Sequence, residues 1–495
     1  MKAQIIVNQD FVIDSVSPGI YGGFIEHLGR AVYEGIYEPG HPTADADGFR
    51  HDVIDLVREL NMPITRYPGG NFVSGYNWED GIGPKVNRPA RLDLAWKALE
   101  PNQVGTDEFM KWCRLANTAP MMAVNLGTRG PAEAQALVEY CNHPQGSYWS
   151  DLRRKNGAKK PYGVQYWCLG NEMDGVWQTG HKTAEEYGRV AAEAAKMMKW
   201  TDPSIKLIVC GSSGDEIATF GAWDAAVLEQ TYPHVDYLSL HHYFGNGNHN
   251  TPDFLAGSDA MSRHIEKVIA ACDFVKAKLK SDKTIMLSFD EWNVWFHSHG
   301  QEKNSPEWSV ARPILEDLYT MEDALVVGSL LISLINHADR VKLACLAQTV
   351  NVIAPIMTRK NGGAWRQTIF FPFQYTSQYG RGTALRQVVD VPTYGNNTPY
   401  LTSSTIYNAE TRELRIFAVN RNLEEKLDLS VPLQSFPAGK VVEHLTMHHA
   451  DLNAVNTENR EAVCPVKAAG TAVSGGVLKA KLPPASWNLI RVKLA

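Results

Sequence analysis

Tyr166-Trp-Cys-Leu-Gly-Asn-Glu172 and Met286-Leu-Ser-Phe-Asp-Glu-Trp-Asn293 are two short apolar runs, each followed at once by a glutamate. A brief, nearly continuous apolar run bounded by turn formers reads as a strand buried on both faces, the kind that builds parallel sheets. Comparable runs occupy residues 19–27, 64–70, 121–128, 164–172, 206–213, 235–243, 284–293 and 341–351, with helical patterns between them. Strands alternating with helices imply βα units, and eight such strands close a (β/α)8 TIM barrel. The intervening segments carry helix signals of their own. Thr183-Ala-Glu-Glu186 is a capping box, and Tyr187, Val190, Ala191, Ala194 and Met198 follow at helical spacing. Pro131 is placed as the first residue of another helix.

The pattern changes beyond about residue 375. Leu427, Leu429, Val431 and Leu433 alternate with other residues, as do Ile490, Val492 and Leu494, and turn formers such as Gly395 and Pro483-Pro484 punctuate the region. This predicts a C-terminal antiparallel β-sandwich of jelly-roll type. The first dozen residues also read as strand and precede the barrel without a helix. The expected organisation is a barrel over residues 15–375 and a sandwich made of residues 1–14 and 376–495, an α/β protein of two domains. A chain of 495 residues exceeds one compact core, in keeping with two domains.

Composition excludes several classes. A net charge of -6, with no basic stripe, leaves no footprint for nucleic acid or an anionic membrane. The longest apolar stretch, residues 324–335, is too short to span a bilayer and reads as a buried helix. The N-terminal apolar core is too short for a secretory segment. Seven scattered cysteines without CxxC spacing argue against a disulfide framework or a zinc cluster, and for a reducing, cytoplasmic setting.

If the barrel is right, reactive groups collect at the C-terminal ends of its strands. Glu26-His27, Arg66 to Asn71, Asn171-Glu172, His241-His242-Tyr243, Glu291-Trp292-Asn293 and Gln348 to Asn351 stand at those ends. Hydrogen-bonding side chains of this kind suit sugar hydroxyls, and Trp78, Trp96, Trp177, Trp292 and Trp295 could cover the C–H faces of a sugar. Breaking a glycosidic bond needs an anion near the reacting carbon and a proton for the departing oxygen, which two carboxyl groups with separated pKa values supply. Glu172 and Glu291 are the candidates. His241 and His242 fall on opposite faces of a strand, so joint metal binding is not expected, and neither metal nor cofactor is required.

The blocks Gly22 to Tyr37, Arg66 to Pro84, Leu169-Gly-Asn-Glu-Met-Asp-Gly175 and Asp290-Glu-Trp-Asn-Val-Trp295 are similar to the intracellular α-L-arabinofuranosidases of glycoside hydrolase family 51. That resemblance implies a retaining hydrolase releasing terminal α-L-arabinofuranosyl groups by double displacement, with Glu172 as acid/base after the fourth strand and Glu291 as nucleophile after the seventh. It places Glu26, Asn71, Trp96, Asn171, Tyr243 and Gln348 in the arabinose pocket and Trp177 and Trp295 near the leaving group. Arg66 is the candidate partner that keeps Glu291 ionised. The resemblance also implies arabinofuranosyl saccharides as partners and a homo-oligomer, a hexamer. Val176 stands where the family pattern suggests proline. Rival readings are a retaining β-xylosidase or β-glucanase of the same clan, a non-catalytic carbohydrate-binding protein, and a metal-dependent hydrolase using His241, His242 and Asp290.

Overall fold

The structure is a computed structural model describing residues 1–495, the side chain of Glu302 excepted. Eight strands form a closed barrel: β1 (Gly22–Phe24), β2 (Ile64–Tyr67), β3 (Ala119–Ala123), β4 (Tyr166–Leu169), β5 (Lys206–Val209), β6 (Tyr237–Phe244), β7 (Met286–Val294) and β8 (Val341–Leu346). Pairing is parallel at every seam, and β6 joins β7 to complete the ring. Each strand coincides with one apolar run of the sequence, although β3 starts two residues before its run and β6 and β7 extend one residue beyond theirs.

The runs are largely apolar because both faces of each strand are covered. In β4, Cys168 points into the barrel with Phe24, Ile64, Met121, Ile208 and Cys345, while Trp167 and Leu169 point outward into the larger core shared with the helices. The helices begin where their caps predict. Thr183 accepts a hydrogen bond from the Glu186 amide at the start of Ala184–Thr201, and Pro131 opens Pro131–Asn142.

Residues 324–335 lie in the helix Met321–Asn336, capped by Thr320 and buried on all sides. It is apolar all round because it is wedged between the barrel and the second domain, touching β7 and the helix Gly257–Leu279 on one side and the strands Leu401–Asn408, Glu413–Asn420 and Ser486–Leu494 on the other. Gly328 permits the closest approach: a Cβ there would stand 2.4 Å from the Trp487 ring. Among the described residues no helix is long and apolar enough to cross a membrane.

The C-terminal region is one curled ten-stranded sheet with the N-terminal strand Lys2–Ser15 in its middle. That strand pairs antiparallel with Thr383–Asp390 (Gln4 opposite Asp390) and parallel with Leu427–Pro432. The strict antiparallel order expected of the sandwich is therefore broken at one seam, because one of its strands arrives from the other end of the chain. Curling gives the sheet two buried faces. Phe417, Val419, Trp487 and Leu489 face the barrel, while Leu414, Ile416, Ala418, Ile490 and Val492 close on Ile5, Leu429, Val431 and Leu478 in a second core.

Candidate active site

Glu172 lies just beyond β4 with φ at 43°, a left-handed conformation that residues with a Cβ seldom adopt and that is sustained where the surroundings fix it. Glu291 lies within β7, opposite His241 of β6. Simple alternation would send Asp290 and Glu291 to opposite faces of the strand. The register shifts between Ser288 and Glu291, and this irregularity lets both carboxylates turn toward the barrel interior, where both are buried.

Four strands contribute to one hydrogen-bonded network. Arg66 of β2 donates from one guanidinium nitrogen to Glu291 at 2.6 Å and from the other to the Asn171 side chain at 2.7 Å, and its Nε lies 3.7 Å from Asp290. The Tyr243 hydroxyl donates to the second oxygen of Glu291 at 2.7 Å. His241 stands between the carboxylates, with Nδ1 2.8 Å from Glu172 and 3.6 Å from Glu291, and Nε2 3.0 Å from Asp290. Trp177 donates its indole N–H to the other Glu172 oxygen at 2.7 Å. One carboxyl oxygen of Glu172 and one of Glu291 lie within 4.8 Å of each other.

Burial and charge separate the acids. Burial pushes Glu172 above the usual carboxylate range and the neighbouring Glu291 charge adds to this, against hydrogen bonds from His241 and Trp177. Burial acts the same way on Asp290, but there the Arg66 guanidinium and the His241 ring prevail and hold it low. Burial disfavours the charged His241 ring, yet Glu291, Asp290 and Glu172 together lift it to about 10. The surroundings thus push two buried carboxyl groups apart, raising Glu172 and lowering Asp290.

Glu26 closes the opposite end of the site. One of its oxygens accepts from the Phe72 amide and from the Trp96 indole, each at 2.9 Å; the other accepts from Gln348 at 3.2 Å. Burial raises Glu26 to about 8, which favours a protonated carboxyl able to donate to a hydroxyl. Its carboxyl occupies the place that a side chain at residue 70 would take, for a Cβ on Gly70 would lie 2.1 Å from the Glu26 oxygen. Gly70→Ala is therefore expected to swing Glu26 out of line and lower kcat/KM by roughly 100-fold, the usual cost of an ångström-scale misplacement. Circular dichroism should show an unchanged fold, and a variant with full activity would remove Glu26 from the site.

Arg66, Asn171, Glu172, Trp177, Tyr243 and Glu291 share the first network, Glu26, Trp96 and Gln348 form a second hydrogen-bonded cluster, and Trp295 packs edge-on against Tyr243 with centroids 5.4 Å apart. Trp96 and Trp295 both line an adjoining open cavity of about 600 Å³. Asn71 begins the turn after β2 and lines a smaller cavity of about 210 Å³. Two of the tryptophans expected near a sugar are core residues instead. Trp292 is fully buried in the barrel wall, and Trp78 packs against Tyr140 and Trp149. His241, Asp290 and Gln178, which accepts from Asn171 at 3.3 Å, belong to the network but were not expected in these roles. His241 and His242 do face opposite sides, so His242 cannot share a metal with His241 and Asp290.

Residues 56–263 match the profile of the α-L-arabinofuranosidase 1 domain and residues 290–486 that of the α-L-arabinofuranosidase C-terminal domain. The chain is 57% identical to intracellular exo-α-(1→5)-L-arabinofuranosidase 1 of Bacillus subtilis, with 99% of each chain covered. It belongs to the family 51 α-L-arabinofuranosidases. An intracellular exo-α-(1→5)-L-arabinofuranosidase of Halalkalibacterium halodurans is 56% identical over 99% of both chains. The solved structure of AbfB, a family 51 member from Bifidobacterium longum, superposes with a TM-score of 0.94 at 42% identity and 99% coverage of both chains. The family fold therefore extends over both the barrel and the curled sheet.

Proposed function

We propose that this chain is an exo-acting, retaining α-L-arabinofuranosidase in which Glu291 is the nucleophile and Glu172 the acid/base. The observation that carries the mechanism is the approach of the two carboxyl groups to within 4.8 Å. Retaining glycosidases hold theirs about 5–5.5 Å apart, whereas inverting enzymes need about 6.5–9.5 Å to admit water between them. Ionised Glu291, held by Arg66 and Tyr243, attacks the anomeric carbon while protonated Glu172 donates to the departing oxygen. Esterification of Glu291 removes its charge, and Glu172 then acts as base toward water. In this reading the Glu26, Trp96 and Gln348 cluster bounds the site behind the terminal sugar, which suits cleavage at a chain end.

The names of the two relatives support α-(1→5)-linked arabinofuranosides as the substrate and an intracellular place for the enzyme. All seven cysteines are free, which suits a reducing compartment. A homo-oligomer, hexameric as in the family resemblance, is part of the same proposal. A panel of nitrophenyl glycosides, followed by reduced and unreduced α-(1→5)-arabino-oligosaccharides, tests this reading. Release of single arabinose units from the non-reducing end is expected. Preference for β-xylosides, or tight arabinose binding without turnover, would overturn it.

A further inference from the structure

Behind β6, on the face away from the glutamates, three potential ligands converge from separate elements. His242 projects from the outer side of β6, Asp215 from the segment after β5, and His264 from the helix Gly257–Leu279. One ligand atom from each lies within 4.8 Å of the other two, and His242 Nδ1 is 3.4 Å from an Asp215 oxygen. His264 is the telling member. It is 0% exposed, and neither of its ring nitrogens has a hydrogen-bond partner among the described residues. Phe220 and Phe289 present edges to its ring, and His242 lies tilted 5.5 Å away. A buried imidazole with two unsatisfied nitrogens is costly, and buried polar groups left in this way call for a partner.

The chemistry of the cluster identifies that partner. Each imidazole can present a ring-nitrogen lone pair, and that of His264 has no competing hydrogen-bond partner among the described residues. Asp215 supplies the carboxylate, with one oxygen paired to Lys267 and the other toward His242. Two neutral imidazoles and one carboxylate form a donor set for zinc-like ions, unsuited to magnesium or calcium. Ligands about 2.0–2.2 Å from zinc stand roughly 3.4 Å apart, so side-chain movements of about an ångström close the site. Lys267 pairs at 2.9 Å with the Asp215 oxygen other than the one facing His242, and can remain there as an outer partner.

We propose that Asp215, His242 and His264 form a binding site for one divalent transition-metal ion of the zinc type, with water completing the coordination. This departs from the expectation of no metal, which rested on cysteine spacing and on adjacent histidines. The ion ties the segment after β5 to the strand end that carries His241 and Tyr243. It does not touch the sugar pocket, and the proposal is independent of the roles given to the two glutamates.

The test is calorimetric titration of chelator-treated, dialysed protein with zinc chloride, and with cobalt chloride monitored by visible absorption. One equivalent per chain is expected, with a cobalt spectrum of low-symmetry nitrogen and oxygen ligation. Asp215→Asn and His264→Gln should each weaken binding by more than the roughly 10–100-fold that loss of a mere outer-shell partner costs. Asp215 lies near the surface, so its variant folds even if the buried His264 variant does not. The cluster Glu172, His241 and Glu291 is a second possible metal ligand set, and Glu291→Gln must therefore retain the bound equivalent. Absence of binding to the wild type, unchanged affinity in Asp215→Asn, or loss of the ion in Glu291→Gln would each overturn the proposal.

Discussion

Glu291→Ala is expected to lower kcat on nitrophenyl α-L-arabinofuranoside by about 10⁴- to 10⁶-fold, the range seen when a member of a covalent catalytic unit is removed. The size follows from its two roles. In the proposed mechanism Glu291 supplies the covalent bond, and its carboxylate, held by Arg66 and Tyr243, faces the carbon on which positive charge develops. Azide added to this variant should restore turnover and yield the β-L-arabinofuranosyl azide, since the small anion enters from the face the carboxylate has vacated. Removing one partner of a buried ion pair also costs about 3–5 kcal/mol. Arg66 keeps Asn171 and Asp290 as neighbours in the alanine variant, which limits that loss. Glu291→Gln preserves the shape of the side chain, keeps one acceptor oxygen for the two donors Arg66 and Tyr243, and should be equally inactive. Activity within tenfold of wild type in either variant, or an α-configured azide product, would sink the nucleophile assignment.

The barrel was legible because its strands are buried on both faces, so burial left a mainly apolar mark eight times over. The glutamates stood out because each follows such a mark directly. Asp290 was harder to place: period-two alternation separates it from Glu291, and only the register shift in β7 sets both against His241. Nothing local in Phe-Asp-Glu-Trp announces that shift. His241 was hidden for a related reason. Its importance lies in three carboxylates contributed by residues 172, 290 and 291, and their convergence is a property of the closed ring. Trp292 misleads in the opposite sense, since it sits beside Glu291 in sequence yet points into the wall. In the sheet domain, alternation in Leu427–Pro432 revealed the strand but not its neighbours, because the parallel partner is the N-terminal strand more than 400 residues away. Strand patterns record which face is buried; they carry no label for the strand that lies alongside.

Glu172→Ala should divide substrates by the basicity of their leaving group. On α-(1→5)-arabinobiose, whose departing alkoxide requires a proton, kcat/KM is expected to fall by about 10²- to 10⁴-fold, the usual contribution of a positioned general acid. On 2,4-dinitrophenyl α-L-arabinofuranoside, whose phenolate leaves unaided, kcat/KM should change by less than about tenfold, while a burst of phenolate reveals accumulated glycosyl-enzyme. Azide should rescue the slow second step and give the α-configured product, opposite in stereochemistry to that of the Glu291 variant. The pH profile supplies a further check, and its sign is fixed by the environment of Glu172. Its pKa is raised, so wild-type kcat/KM declines as pH rises through that value and the proton is lost. His241, lifted to about 10, stays cationic across this interval and adds no limb of its own near neutrality. In Glu172→Ala the part of the alkaline limb due to Glu172 should vanish on the activated substrate, leaving that of Glu26, raised to about 8. With Glu172 gone, His241 retains Asp290 at 3.0 Å and still lies near Glu291, so the nucleophile remains supported. Equal losses on both substrates would transfer the acid role to another group.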